Sequence, residues 1–234
     1  MRDTWPREIH RRSPVRTTGY MPGRFTGWPE QAFDVLLELD GDPSVEVRNG
    51  LRRDRERMVR QPMIALLQDV ADADAAYEDF SVWSFRTLVW FWQHQGALVR
   101  IAPRVDISLT FDLDGLQVKG AWWYPLPGQV ERFRVAVADT PSGEALNRVV
   151  AKLSRQGLEI GGDVMRRPPR GYPSDHPRAE LLRHRSLVAT DRLGCADWLH
   201  TPEPVDRVLA AFARLRPMLT WFADYVAADA ARST

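Results

Sequence analysis

The stretch that decides the fold covers residues 106–118 and reads Asp-Ile-Ser-Leu-Thr-Phe-Asp-Leu-Asp-Gly-Leu-Gln-Val. Apolar residues occupy every second position from Ile107 to Leu113, and this period of two is typical of a β-strand with one buried face. Asp114 and Gly115 follow at once and favour a type I′ turn between two strands. The stretch therefore predicts an antiparallel β-hairpin.

The segments around this hairpin predict more sheet and, beyond it, helices. Residues 80–91, rich in aromatic and β-branched side chains, and residues 97–101 are expected to be strands, and a short strand is expected at 186–190. Five segments have apolar residues at helical spacing and are predicted to be helical. They are the segment after Pro29, residues 44–70, 129–138 and 144–156, and the segment that starts at Pro202. We predict an α+β fold in which a curved antiparallel sheet is packed by N- and C-terminal helices.

Residues 166–177 form a proline-rich segment, which we call the strap. Prolines fix φ and lack an amide donor, so the strap should be an extended connector and neither a helix nor an inner strand. Asp175 can cap a following helix, which is expected to begin at about His176. Gly161-Gly162-Asp163, just before the strap, is interpreted as a turn.

Composition indicates a soluble cytoplasmic protein. The formal net charge of +1 gives no bulk attraction to nucleic acid or to an anionic membrane. One cysteine, Cys195, rules out an internal disulfide and fits a reducing compartment, and no secretory or membrane-length apolar segment is present. We expect a flexible basic N-terminal arm over residues 1–22, a single α+β domain over 23–230 and a tail over 231–234.

Three motifs in order resemble a bacterial family called domain of unknown function 2461. They are Phe25-Thr26-Gly27-Trp28-Pro29, the run Val59-Arg60-Gln61-Pro62-Met63, and the strap with its Arg-Pro-Pro-Arg-Gly-Tyr and Asp-His-Pro series. The resemblance covers about residues 23–225 and implies no settled activity.

One part of the chain departs from that family. Relatives carry Arg-x-x-Arg-Asp-x-Arg-Phe in their central strands, followed by Asp or Asn, Lys and Tyr. At the corresponding residues 83–90 this chain keeps a charged side chain only at Arg86, and Trp90 replaces the phenylalanine. Any family activity that uses that ionic cluster is therefore in doubt here.

Aromatic residues take the place of the lost charges and can line a pocket for an aromatic or extended apolar molecule. Core packing is the alternative role for most of them. The predicted substrate-binding residues are Trp83, Trp90, Trp92, Trp122, Trp123, Tyr124, Arg170 and His176.

Polar residues near these aromatics supply the candidate catalytic groups, which are His94, Arg86 and Asp106. Histidine titrates near neutral pH, so His94 leads the three as a proton-transfer group. No zinc spacing, glycine-rich phosphate loop, dinucleotide fingerprint or nucleophile elbow is present, so neither a metal nor a cofactor is expected.

Two functions follow from this inventory. The first is a small-molecule enzyme of a specialised biosynthetic pathway that performs cofactor-free proton transfer, such as isomerisation, cyclisation or elimination, in an aromatic-lined pocket. The second is a non-catalytic member that binds a ligand or a protein partner. Loss of turnover in His94→Ala would distinguish them.

Overall fold

The computed structural model describes residues 24–84 and 92–227. The expectations for the arm over residues 1–22 and the tail over 231–234 lie outside these described residues. The regular elements are α1 (Gln31–Glu38), α2 (Val45–Arg55), α3 (Gln61–Ala73), β1 (Phe80–Val82), β2 (Gln95–Ala102), β3 (Val105–Asp112), β4 (Gly115–Trp122), α4 (Pro127–Ala138), α5 (Thr140–Arg155), β5 (Glu159–Gly161), α6 (Ala179–Leu182), β6 (Leu187–Gly194) and α7 (Pro204–Phe222).

Shorter helical turns join some of these elements. Two are 3₁₀ turns, Ala75–Tyr77 and Asp197–His200, and two are π-helical turns, Glu56–Arg60 and Ala223–Ala227.

Six strands form one antiparallel sheet in the order β1-β2-β3-β4-β6-β5, with helices flanking it. This arrangement confirms the predicted α+β class. The strands are not consecutive in the chain, because β5 and β6 follow α4 and α5. Strand β6 pairs with β4, and β5 pairs with β6 at the edge of the sheet. The predicted strand at 186–190 is the start of β6, which lies inside the sheet.

One face of the sheet forms the core with helices from both ends of the chain. Trp28 stacks on Phe111 of β3, with ring centroids 4.3 Å apart. Trp122 of β4 stacks on Phe222 of α7 at 5.1 Å and lies 4.8 Å from Phe133 of α4. All five side chains are at most 2 % exposed, so they join the two ends of the chain through the hydrophobic effect.

Capping residues explain several helix ends. The Ser44 hydroxyl accepts the Val47 amide at the start of α2, and the Asp139 carboxylate accepts the Ser142 amide at the start of α5. Gly157, with φ of 89°, follows the end of α5 and terminates the helix in a left-handed conformation.

The predicted hairpin between β3 and β4 forms, but its turn is not of the predicted type I′. Asp112 pairs with Gly115, so the turn residues are Leu113 and Asp114. A type I′ turn needs positive φ at both, whereas in this turn only Gly115, with φ of 92°, is left-handed. A turn of negative φ followed by a left-handed glycine closes the hairpin equally well.

The predicted boundaries around the strap also need correction. The strap contains neither helix nor strand, as expected, but turns interrupt its extended course. The next helix, α6, begins at Ala179 with no side-chain cap. The His176 imidazole Nδ1 accepts the Arg178 amide at 3.0 Å, so a histidine and not Asp175 satisfies that donor.

Two further predictions, one for a turn and one for a strand, were wrong about where the strands end. Gly161 was expected in a turn, but it ends β5, which pairs with β6 from Glu159 to Gly161. In the 80–91 region, β1 ends at Val82, Trp83 and Ser84 lie outside any strand, and residues 85–91 lie outside the described residues.

Candidate functional site

The sheet face that points away from the core carries polar side chains at its centre, and we call it the outer face. Residues directly opposite one another on antiparallel strands share a face. On β3, Asp106 is opposite Arg100 of β2 and Ala121 of β4, and Ser108 is opposite Leu98 and Lys119. These six residues define the outer face.

The centre of the outer face is buried although it is polar. Asp106 is 2 % exposed and Ser108 is 1 % exposed. Leu98 is also buried, whereas Lys119 is half-buried and Arg100 is exposed. A carboxyl and a hydroxyl group have therefore been removed from water, which is costly unless each finds a partner.

Neither group has its hydrogen-bonding capacity filled. The Oδ2 atom of Asp106 and the Oγ atom of Ser108 are both buried and lack a hydrogen-bond partner among the described residues. The two residues are separated by one position on a strand, so their side chains lie side by side, with about 6.6 Å between their backbones. The pair forms an unsatisfied polar spot on an otherwise packed surface.

Burial raises the pKa of Asp106 from 3.8 to about 6. Removal of water disfavours the charged carboxylate, and the charge of Asp79 acts in the same direction. The positive charge of Arg100, the hydrogen-bonding side chain of Trp123 and the positive charge of Arg104 oppose the shift. Asp106 is thus a carboxyl group that exchanges its proton near neutral pH.

Two strained residues lie at the end of the sheet that carries Asp106. Arg104 has φ of 68° in the turn between β2 and β3, and Tyr124 has φ of 47° just after β4. They are the only residues other than glycine with positive φ in the described chain. The Trp123 amide donates to the Arg104 carbonyl oxygen at 3.3 Å, which ties the two strained positions together. Such strain is often found beside functional groups.

Of the predicted site residues, Trp123 and Tyr124 lie with Asp106 at this end of the sheet. Their rings stack with centroids 6.4 Å apart, and both side chains are half-buried. Trp123 follows Trp122, so the alternation of the strand sends it toward the outer face.

A second group of predicted residues lies at the other end of β2. The Trp83 ring meets the His94 ring edge-on at 5.9 Å and lies against Gly96, where an added Cβ would be 2.1 Å from the indole. Trp92 is buried in the core cluster. His94 precedes Arg100 by six residues, about 20 Å of strand, so His94 and Asp106 cannot reach one proton.

The other predicted residues are not brought to either group. Trp122 is fully buried on the core face. Arg170 is exposed in the strap, and half-buried His176 is held near Arg178. Arg178, which follows the strap, donates to the carbonyl oxygens of Val137 and Ala138 at the end of α4, so the end of the strap lies beside α4. Arg86 and Trp90 lie outside the described residues.

Sequence reasoning missed three members of the site, Ser108, Arg100 and Arg104. A signal for Ser108 was present, because alternation places it on the same face as Asp106. Nothing in the local sequence pattern indicated that this face is buried.

The described residues offer neither a metal-binding cluster nor a membrane-spanning helix. In residues 24–84 and 92–227, no cluster of three or more His, Cys, Asp or Glu side chains is arranged to hold a metal ion. No described helix combines the length and the apolar character needed to cross a bilayer.

Comparison with protein families adds one match. Residues 85–221, more than half of the chain, match DUF2461, described as a conserved hypothetical protein family. The chain belongs to this family. The DUF2461 match begins after Phe25–Pro29 and Val59–Met63, so both motifs lie outside it, whereas the outer face and the strap lie inside. No curated protein and no solved structure matches the chain.

Proposed function

We propose that this DUF2461 member is a cofactor-free enzyme that moves a proton to or from an apolar small molecule, with Asp106 as the proton-transfer group. The observation that carries the proposal is the placement of the Asp106 carboxyl, which is 2 % exposed and has a buried Oδ2 atom without a partner among the described residues. A structural carboxylate at such depth normally has its oxygens satisfied.

The acidity of Asp106 suits this chemistry. A carboxylate with an ordinary pKa is a weak base at neutral pH, and a pKa of about 6 makes Asp106 more basic while leaving it mostly ionised at pH 7. The same group, once protonated, can return the proton to the product. One residue can thus serve as base and acid in an isomerisation.

The surroundings of Asp106 favour an apolar substrate with a site for negative charge. Leu98, Ala121 and the half-buried Trp123 provide apolar surface on the same face. Arg100 and Arg104 place positive charge close enough to lower the pKa of Asp106. Arg100 is shared with Asp79, 3.6 Å away, so part of its charge is already compensated.

His94 is the competing candidate, because an imidazole is a general acid–base group and its ring contacts that of Trp83. The separation of about 20 Å along β2 makes the two residues alternatives and not partners. Substitution of Asp106 and substitution of His94 therefore test different sites.

Exchange of carbon-bound hydrogen with heavy water tests the proposal without knowledge of the natural substrate. The protein is incubated with 2-tetralone, a ketone, or with phenylnitromethane, a nitroalkane, and loss of the activated C–H signal is followed by NMR. We expect faster exchange than in buffer for at least one probe, and a loss of about 100-fold or more in Asp106→Asn.

Matched variants give the experiment its specificity. Asp112→Asn changes a half-buried carboxyl on the same strand and face and should retain exchange, as should His94→Ala. Circular dichroism checks that each variant is folded. Exchange that persists in Asp106→Asn contradicts the proposal, and exchange lost in His94→Ala moves the chemistry to the other site. Absence of exchange in the wild type contradicts it too and favours the non-catalytic, ligand-binding alternative.

A further inference from the structure

We infer that Ser108 donates a hydrogen bond to a carbonyl oxygen of the substrate, so that the site takes an apolar ketone whose α-carbon faces Asp106. This inference rests on the proposed proton transfer and adds to it a second residue and a substrate class.

The Ser108 hydroxyl is the first support. Ser108 is 1 % exposed, and its Oγ atom has no hydrogen-bond partner within the described chain. Buried hydroxyls ordinarily bond to a nearby acceptor, and at this position the backbone of β3 is already paired with β2 and β4. A partner that comes from outside the protein would satisfy it.

The position of Ser108 relative to Asp106 is the second support. The two side chains are neighbours on one face of β3, with about 6.6 Å between their backbones. A hydrogen-bond donor and a base each act at about 3 Å from the atom they serve. At this spacing of parallel side chains, a carbonyl oxygen can face Ser108 while the adjacent carbon faces Asp106.

The residues across from this pair define what else can bind. Leu98 and Lys119 lie on either side of Ser108, and Arg100 and Ala121 lie on either side of Asp106, so one apolar and one positively charged residue flank each of them. Both charged neighbours are cationic and therefore favour the negative charge that develops on a carbonyl oxygen when the adjacent carbon loses a proton. The part of the ligand that lies on Leu98 and Ala121 must be apolar.

The local charges favour a ketone over an amine. A cationic amine would pair with the Asp106 carboxylate, but it would also meet the positive charges of Arg100 and Arg104, which both act on that carboxylate. An enolate carries negative charge on its oxygen and is favoured by the same two arginines.

The chemical step balances without a co-reactant. The Asp106 carboxylate takes the proton from the α-carbon, and the C–H electron pair becomes the carbon–carbon π bond of an enolate. The carbonyl π electrons move to the oxygen, where the Ser108 hydroxyl donates. Asp106, now a carboxylic acid, returns the proton to the same carbon or to a conjugated one, which gives exchange or isomerisation.

Binding of 2-naphthol tests Ser108 separately from proton transfer, because its aromatic hydroxyl resembles an enol on an apolar body. Isothermal titration calorimetry is performed on the full chain. We expect affinity to fall about tenfold in Ser108→Ala, the loss of one hydrogen bond, and to be retained in Ser108→Thr, which keeps the hydroxyl. Thr110→Val, on the same face of β3, should bind like the wild type, and Asp106→Asn should bind at least as tightly, since asparagine resembles the protonated acid.

The outcomes separate the two proposals. Equal 2-naphthol affinity in the wild type and Ser108→Ala, or no binding to the wild type, overturns the role of Ser108, while the loss of exchange in Asp106→Asn can still hold. Retained exchange in Asp106→Asn overturns the proton-transfer proposal, even where Ser108→Ala weakens binding. Slower 2-tetralone exchange in Ser108→Ala, restored in Ser108→Thr, supports both.

Discussion

At the scale of single residues, the backbone conformations of Arg104 and Tyr124 show how the site is shaped. A left-handed φ costs a side-chain-bearing residue on the order of 1 kcal/mol, and glycine would avoid that cost. The chain instead keeps arginine and tyrosine at these positions, with φ of 68° and 47°. The arginine charge acts on Asp106, and the tyrosine ring stacks on Trp123, so both side chains contribute to the site where the backbone is strained.

The raised pKa of Asp106 makes fold stability depend on pH. The unfolded chain loses this proton near pH 3.8 and the folded chain near pH 6, so the folded state binds more protons between those values. Stability from this group is fully present below pH 3.8 and is lost as pH rises through 6. The full loss corresponds to about 3 kcal/mol, because one pKa unit is about 1.4 kcal/mol.

Urea unfolding of the wild type and Asp106→Asn at pH 5, 6, 7 and 8 measures this effect. The free energy of unfolding of the wild type should fall relative to that of Asp106→Asn as pH rises from 5 to 7 and then level off. A constant difference between the two proteins over this range would show that Asp106 titrates normally.

At the scale of elements, the π-helical turn Glu56–Arg60 positions two arginines against the ends of neighbouring strands. In an α-helix, residues five apart point about 140° away from each other. A π turn closes i to i+5 and brings them to the same side. Arg60 Nε accordingly donates to the Trp83 carbonyl oxygen at 3.0 Å, near the end of β1. Arg55, on the same side, reaches the start of β2.

Arg55 is 2 % exposed, and burial lowers its pKa to about 10. Its guanidinium donates to the Trp92 carbonyl oxygen at 3.0 Å, to the His94 carbonyl oxygen at 2.6 Å and to Gln95 Oε1 at 3.1 Å. These bonds fix the chain as it enters β2.

Arg55→Ala should lower the free energy of unfolding by about 3–5 kcal/mol, because it leaves buried acceptors without donors. Arg55→Lys should lower the free energy of unfolding by less than Arg55→Ala does, but not match the wild type, since an ammonium group cannot reproduce the planar arrangement of guanidinium donors. The exposed Arg53 on the same helix is the control, and Arg53→Ala should change stability by no more than about 0.5 kcal/mol. Guanidinium unfolding measures all three. Similar values for Arg55→Ala and Arg53→Ala would show that the bonds to the start of β2 add no stability.

At the scale of the whole molecule, the two faces of the sheet have different roles: the core face stabilises the fold, and the outer face carries the proposed site. Its core face holds Trp122 between helices from distant parts of the chain, and its outer face carries Asp106 and Ser108. Two adjacent tryptophans thus belong to different environments. Trp122 is fully buried, and Trp123 is half-buried.

Substitution of these neighbours should separate the two faces. Trp122→Ala should cost about 3–5 kcal/mol of unfolding free energy, the usual penalty for a large buried aromatic. Trp123→Ala should cost clearly less but weaken 2-naphthol binding, because it removes apolar surface beside Asp106. Chemical denaturation and calorimetry on the same samples provide both values. The reverse order of stability losses would contradict the assignment of the two faces.

Much of the architecture could be predicted because it depends on local patterns. Alternation from Ile107 to Leu113 predicted β3, and Leu146, Val149, Val150 and Leu153 at helical spacing predicted α5. The missed strand β5 is short and contains Gly161, so its pairing with β6 gives it a structure that its own residues do not favour.

The sequence by itself determined the α+β class, the family and which side chains share a face of each strand, since these follow from periodicity and motifs within short segments. Only the tertiary structure decided that the face with Asp106 and Ser108 is buried, that His94 lies far from Asp106 and that Trp122 belongs to the core. Burial and the resulting pKa depend on contacts between residues distant in sequence. Alternation states which residues lie together on a face but not whether water reaches that face.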